Sequence, residues 1–319
     1  MDDGFNHRPW SIVRSLAIVS CFLLLASSAC QPRRTVTLAL LGDINLGRAV
    51  NPSAGSFAFL KTELAKADLT LANLESPLAA GDTTASTLEG YNLCAPAERA
   101  GYFSAWDFDL LSIANNHSFD CSPDGPAETR SALELAGVTP IGPAMEPVYR
   151  KVGGLRLAFL AFDDISSPLD GEAAAQAIRS AHARGALVIV SVHWGMEYQG
   201  GASERQEVLA QQFARAGAVL VWGHHPHVLQ PAVWVGDGPC EASKPSQGCA
   251  LVLYSLGNAL FDQGGLADTR QSALALVQIN AKGVESFRAV PCVIDMAESR
   301  LVAADAETAR KILERLKIK

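Results

Sequence analysis

Short, almost unbroken apolar runs recur along this chain, and several of the strongest end abruptly in glycine, asparagine or histidine. Thr35–Leu41, Ala186–Val192 and Ala218–Trp222 carry hardly a polar residue. Continuous apolarity of that length marks strands buried on both faces rather than the alternation of a half-exposed sheet. Leu69–Ala72, Asp109–Ala114 and Leu155–Phe162 are further strands of this kind. Between them lie helical patterns: Phe57–Lys66, with Phe57, Leu60 and Leu64 on one face; Pro126–Ala136, with proline in its first turn; Ala173–Arg184; and Ser203–Ala216. The last opens Ser-x-x-Gln, which can form a capping box. Strands are also predicted near Ala232–Val235, Leu251–Tyr254, Leu274–Ile279 and Phe287–Val293. A charged amphipathic helix over Ala306–Leu316, with Asp305 as N-cap, follows. Strands alternating with helices predict an α/β fold, and with no internal repeat residues 35–319 read as one domain.

What ends each strand matters more than the strands themselves. The first ends in Gly42-Asp43-Ile44-Asn45, the second in Asn73-Leu74-Glu75 and the third in Asn115-Asn116-His117. The Ala186 strand ends in His193-Trp194-Gly195, and the Ala218 strand in Gly223-His224-His225-Pro226-His227. A parallel sheet gathers its C-terminal strand ends along one edge. Five such ends would bring Asp, Glu, Asn and several His together, a mixed oxygen and nitrogen set suited to two divalent ions. Taken singly, each residue has a plainer reading: Asp43 or Asn45 as turn formers, Glu75 as an exposed loop acid, His193 as a packed core histidine, Glu197 as a solvated acid. Repetition on five strand ends is what favours ligation.

The full chain of 319 residues is 49% hydrophobic and carries a net charge of -7. That balance argues against nucleic acid bound through a broad basic surface. Arg8 and Arg14 precede an apolar stretch over 16–25, followed by Ser27-Ser28-Ala29-Cys30. Its length fits a secretory signal better than a membrane span. Residues 1–30 therefore read as a signal peptide with a lipobox in which Cys30 is lipidated, and 31–34 as a linker. Simple secretion and an uncleaved N-terminal anchor remain alternatives, and each exports the domain to the cell envelope. Export permits disulfides among Cys94, Cys121, Cys240, Cys249 and Cys292. Cys240 and Cys249 bracket a Gly/Ser/Pro-rich loop, where a bridge would contribute roughly 2–3 kcal/mol. Cys94 with Cys121 is a further candidate pair, isolated buried thiols are the alternative, and an odd number leaves one unpaired.

Six segments together resemble the CapA-type poly-γ-glutamate capsule biosynthesis proteins over roughly residues 35 to 262. They are Gly42-Asp43 with Leu46-Gly47-Arg48; Asn73-Leu74-Glu75; Ala114-Asn115-Asn116-His117 with Asp120; His193-Trp194-Gly195-Met196-Glu197-Tyr198; Gly223-His224-His225-Pro226-His227; and Tyr254-Ser255-Leu256-Gly257-Asn258. That family in turn resembles the calcineurin-like metallophosphatases. The resemblance implies an αββα sandwich of two mixed sheets with a dinuclear centre at the C-terminal ends of strands.

It also implies roles. Asp43, Glu75, Asn116, His193, His225 and His227 would hold two divalent ions (manganese, iron or zinc), with Glu75 in the bridging place. His117 would protonate the leaving group, and His224, Glu197 and Asp120 would orient the others. The superfamily's first motif is Asp-x-His, whereas here Asp43-Ile44-Asn45 lacks the imidazole. A metal-activated hydroxide attacking a phosphoester or a γ-glutamyl amide is the expected chemistry. The alternative is a non-catalytic, metal-containing accessory or polymer-binding subunit of a membrane synthesis and export complex. The expected partners are poly-γ-glutamate or another anionic envelope polymer, the membrane through a lipid anchor, and subunits of that complex.

Overall fold

The computed structural model describes residues 35–81, 91–238, 240 and 248–317. The segments read as signal peptide, lipidated Cys30 and linker lie outside these residues. Val36–Ile44 (β1) is buried at every position except Thr37. Its side chains divide by the period of two that a pleated strand imposes: Val36, Leu38 and Leu40 enter one apolar layer, and Ala39 and Leu41 another. Leu69–Leu74 (β2) divides in the same way, and both strands read as continuous apolar runs because neither face meets water.

β1 pairs in parallel with β2, which pairs in parallel with Leu110–Ser112 (β5). Leu78–Ala79 (β3) and Ala95–Pro96 (β4) form a small separate pair. Thr139–Ile141 (β6) extends the first sheet beyond β5. A second sheet contains Val148–Val152 (β7), Leu155–Asp163 (β8), Leu187–His193 (β9), Ala218–His224 (β10), Leu229–Gly236 (β11) and Cys249–Leu256 (β12), in the order β11-β12-β10-β9-β8-β7. Asn258–Leu260 (β13), Gln271–Asn280 (β14), Gly283–Asp295 (β15) and Arg300–Ala303 (β16) return to the first sheet, whose order is β16-β15-β14-β1-β2-β5-β6 with β13 on β1. Both sheets are mixed, since β7, β11, β14, β15 and β16 pair antiparallel.

The two sheets meet through one apolar layer, with Leu38, Leu40 and Leu71 on one side and Leu157, Phe159, Ile189, Leu220 and Leu253 on the other. Ala174 and Ile178 of helix Gly171–Ala183, with Leu209 and Phe213 of helix Glu204–Ala216, cover the outer face of the second sheet. Phe57, Leu60, Leu64, Phe103 and Leu133 cover the outer face of the first. This is the αββα sandwich. The segment predicted as a helix over Phe57–Lys66 is shorter, a 3-10 turn at Ala58–Leu60 followed by Lys61–Leu64, although Phe57, Leu60 and Leu64 are all buried. No helix among the described residues is long and apolar enough to cross a membrane.

The picture of one sheet edge needs correction. Three of the five strand ends belong to the first sheet and two to the second, and the sandwich brings the two sets face to face. Both candidate disulfides, Cys94–Cys121 and Cys240–Cys249, are present, and Cys292 is a buried free thiol.

Candidate metal centre

Register in each sheet sets polar residues side by side: Asp43 opposite Asn73 in the first, His224 opposite His193 in the second. Asn73 Nδ2 donates to Asp43 Oδ1 at 2.9 Å, and the His225 backbone N–H donates to Asp43 Oδ2 at 3.1 Å. His224 Nδ1 lies 3.0 Å from Asp43 Oδ1, off the line of a good hydrogen bond, and His227 Nδ1 lies 3.6 Å from Oδ2. Groups from both sheets thus converge on one fully buried carboxylate. Burial alone would push its pKa up. His224, His227 and Asn73 outweigh that effect and hold it below the ordinary value, so Asp43 is an anion.

Glu75, at the end of β2, has no such support. It is fully buried, yet neither carboxylate oxygen has a hydrogen-bond partner among the described residues. Three imidazoles surround Oε1, with Nε2 of His227 at 3.5 Å, of His117 at 3.9 Å and of His193 at 4.0 Å. These distances are too long for hydrogen bonds. Burial, with the charges of Asp43 and Glu197, raises the Glu75 pKa well above its usual range.

The histidines are shifted the other way. Burial and the neighbouring imidazoles hold His193 well below 6.5, and burial with His227 brings His225 to about 4. Burial also lowers His227, against the opposing pull of Asp43 and Asn258. Neutral rings are what ligation requires. His227 Nδ1 donates to Asn258 Oδ1 at 2.9 Å. The Asn258 amide orientation is fixed because its Nδ2 donates to Thr269 O and Gln263 Oε1. The tautomer that results leaves a lone pair on the His227 Nε2 that faces Glu75.

His117 is half-buried at the mouth. Its Nδ1 pairs with Asp120 Oδ2 at 2.8 Å, and Asn115 Oδ1 accepts its backbone N–H at 3.1 Å. Asn115 therefore shapes the turn, while the buried Oδ1 of Asn116 has no partner among the described residues. His225 (φ 91), His227 (φ 57) and Tyr198 (φ 64) all take the left-handed backbone. Such conformations persist only where the surroundings enforce them, and they concentrate at functional sites.

Glu75, Asn116 Oδ1, His193 Nε2 and His225 Nδ1 are therefore buried ligand atoms lacking partners among the described residues, His193 Nε2 lies 4.0 Å from Glu75 Oε1, and their chemistry fits divalent ions. Two sets have ligand atoms mutually within 4.8 Å: Asp43, Glu75 and His193; and Glu197, His225 and His227. Asp43, Glu75, His193, His225 and His227, five of the predicted ligands, fall in these sets, with His224 behind Asp43 and Asp120 behind His117. Glu197, read from the sequence as an orienting acid, stands within one of these sets. Asn73 and Asn258 escaped sequence reasoning as functional residues. Their signal was available in the motifs Asn73-Leu74-Glu75 and Leu256-Gly257-Asn258, each one strand away from a ligand. Above the centre a cleft of about 390 Å³ opens, lined by Arg48, Tyr91, His117, Glu197, Tyr198 and Phe261 among others.

Residues 37–263 match the family model described as bacterial capsule synthesis protein PGA_cap. The chain belongs to this family. PGA_cap proteins are part of the metallophosphatase-like superfamily, in keeping with the sandwich and with the position of its polar strand ends. Among PGA_cap relatives, the chain is 28% identical over 307 residues to the PGA biosynthesis protein CapA of Bacillus subtilis (strain 168), covering 88% of this chain and 77% of that protein. It is 28% identical over 300 residues to the capsule biosynthesis protein CapA of Bacillus anthracis, covering 84% and 70%. A hypothetical protein from Thermus thermophilus shares the fold at a TM-score of 0.50 and 15% identity, over 80% of this chain and 98% of that one.

Proposed function

We propose that this chain is an exported, metal-dependent hydrolase-like protein that acts in the synthesis or processing of poly-γ-glutamate capsule. The relatives named above carry the capsule assignment. The observation that carries the chemistry is Glu75: a fully buried carboxylate without hydrogen bonds, ringed by three imidazole nitrogens within 4.0 Å. A buried charge so placed is costly unless cations neutralise it. Asp43, Glu75, Asn116, His193, His225 and His227 would hold two divalent ions. Such ions, when bound, lower the pKa of water from about 15.7 towards neutrality and offset charge on the attacked group.

The chain's own residues supply the rest. Asp43, pinned by Asn73 and the His225 N–H, fixes one side of the centre, and Asn258 fixes the His227 ring. Asp120 Oδ2 holds the His117 ring through Nδ1, which orients Nε2 to give a proton to the departing oxygen or nitrogen. The electrophile is a phosphoester or a γ-glutamyl amide. Lipidation at Cys30 would hold the domain at the membrane, beside a polymer synthesis complex.

The test is direct. The purified chain is reconstituted with manganese, iron or zinc, its metal is counted, and phosphodiester and γ-glutamyl substrates are assayed beside His193→Ala. Two ions and turnover in the wild type, both diminished in the variant, are expected. No metal in either protein would sink the reading. Metal without turnover on either substrate class would favour the accessory, polymer-holding role.

A further inference from the structure

We infer that Glu197 is a metal ligand, completing with His225 and His227 a coordination sphere to which the end of β1 contributes only Asp43. The inference rests on the metal-centre reading above and adds a ligand to it. Both ends of the Asn45 side chain are already engaged: Oδ1 accepts the Gly47 N–H at 2.7 Å, and Nδ2 donates to Asp262 Oδ1 at 3.3 Å. Asn45 is thus spent on the turn that follows β1, and the strand-end carboxylates beside His227 are Asp43, at 3.6 Å, and Glu75, at 3.5 Å.

The loop carrying Glu197 is stitched to the loop carrying the histidines at both of its ends. Trp194 N donates to His224 O at 3.1 Å, and Tyr198 N donates to Pro226 O at 2.8 Å. Trp194 Nε1 also donates to Tyr254 O at 3.0 Å, which anchors the first end in the second sheet. Tyr198 holds a left-handed backbone (φ 64), as do His225 and His227 opposite it. The two strained loops together bring a Glu197 carboxylate oxygen within 4.8 Å of a ring nitrogen of each histidine.

Charge points the same way. Glu197 lines the same cleft as Glu75 and Asp262, and the Arg48 guanidinium in that cleft is paired with Asp262. Glu197 accepts a hydrogen bond from the Tyr198 hydroxyl, and a carboxylate held in this way towards buried neutral imidazoles and another carboxylate is placed to share a cation with them. His225 Nδ1 is in addition buried and without a hydrogen-bond partner among the described residues.

Mn2+ uptake by the full chain tests this without reference to turnover. Metal-free wild type, Glu197→Gln and Glu197→Asp are titrated by calorimetry and their bound Mn2+ is counted after gel filtration. Because Glu197 is exposed, the metal-free proteins should melt together. Replacing groups that merely support a ligand costs roughly 10–100-fold in metal affinity. Loss of a ligand should exceed this, so Glu197→Gln is expected to lose one ion per chain or to bind it at least about 100-fold more weakly, with Glu197→Asp in between. A Glu197→Gln protein matching the wild type in count and affinity overturns the inference and leaves the centre standing. Wild-type protein that takes up no Mn2+ overturns both.

Discussion

Asp120 Oδ2 lies 2.8 Å from His117 Nδ1 and, at the same time, accepts the Leu93 backbone N–H at 2.7 Å. The neighbouring Cys94–Cys121 bridge ties those two segments covalently. Asp120 is therefore a fixed partner, and it turns His117 Nε2 towards Glu75. Asp120→Asn replaces the carboxylate that holds His117 Nδ1 while keeping the size of the side chain. Turnover should fall about 10–100-fold with the metal count unchanged. Parallel measurement of kcat and bound metal checks this, and a loss of metal instead would make Asp120 part of the centre's scaffold.

The shifted pKa values predict how the metal-free protein responds to pH. His225 is held to about 4 in the folded chain, against about 6.5 when unfolded. Above that value both states are neutral and the group contributes no pH dependence. As pH falls from 6.5 towards 4, the unfolded chain takes up a proton that the folded one refuses. Stability is lost over this window, by up to about 3 kcal/mol. Glu75 acts in the opposite direction. Its raised pKa means that the unfolded chain releases a proton before the folded one does, so stability falls as pH rises above the ordinary carboxyl range. Metal requires the ionised carboxylate and neutral rings, and so removes the alkaline penalty. The rise in Tm on adding Mn2+ should therefore grow between pH 5 and 8, read by melting curves with Mn2+ and with EDTA; a constant rise would contradict the assignment of Glu75.

Much of this was legible in the chain because burial leaves a strong mark. β1, β9 and β10 are apolar on both faces, and the Ser203–Gln206 capping box and the Asp305 cap both form as their spacing predicts. Among the strands that the pattern missed, β6, β7 and β16 lie at sheet edges. β6 contains Pro140, β7 reads Val-Tyr-Arg-Lys-Val and β16 begins with Arg300. Edge strands carry polar residues and proline that suppress the apolar signal. The site divides in the same way. Asp43, Glu75 and the histidines stand out as charged or ligating groups at the ends of buried strands. Asn73 and Asn258 act only through register and through the tautomer they impose, which needs the pairing of β1 with β2 and β13 to be seen. The Leu93 N–H that fixes Asp120 leaves no mark in the sequence at all.

The two disulfides should differ in what they support. Cys94–Cys121 spans 27 residues and Cys240–Cys249 spans 9. In the chain-entropy model they contribute about 3.5 and about 2.5 kcal/mol. Only the first touches the site, since it flanks Leu93 and Asp120. Cys94→Ala/Cys121→Ala is expected to lower both Tm and turnover, whereas Cys240→Ala/Cys249→Ala lowers Tm alone. Denaturation curves and kcat for the two double variants decide this, and equal effects on kcat would detach the first bridge from the function of His117.

One methyl group, placed at two glycines, should act with opposite sign. A Cβ on Gly42 would lie 1.8 Å from the Gly257 carbonyl oxygen, which accepts the Asp43 N–H at 3.0 Å. That oxygen is backbone and belongs to the turn leading into β13, where Asp43 stands opposite Asn258. Relief would require β1 and β13 to part, moving Asp43 away from the His225 N–H and Asn258 away from His227. Overpacking of this kind costs about 1–3 kcal/mol and occasionally more, and backbone cannot swing aside as a side chain can. Gly101, at the start of the short helix Gly101–Ala105, has an ordinary helical backbone and nothing within 4 Å of its Cβ position. There alanine restricts only the unfolded chain and should stabilise by about 0.4–1 kcal/mol. Chemical denaturation of the two variants tests the pair. Gly42→Ala should also bind Mn2+ more weakly in whatever fraction folds, while Gly101→Ala should bind it as the wild type does. A Gly42→Ala protein with wild-type stability and metal affinity would mean that the close approach of β1 and β13 does not hold the centre together.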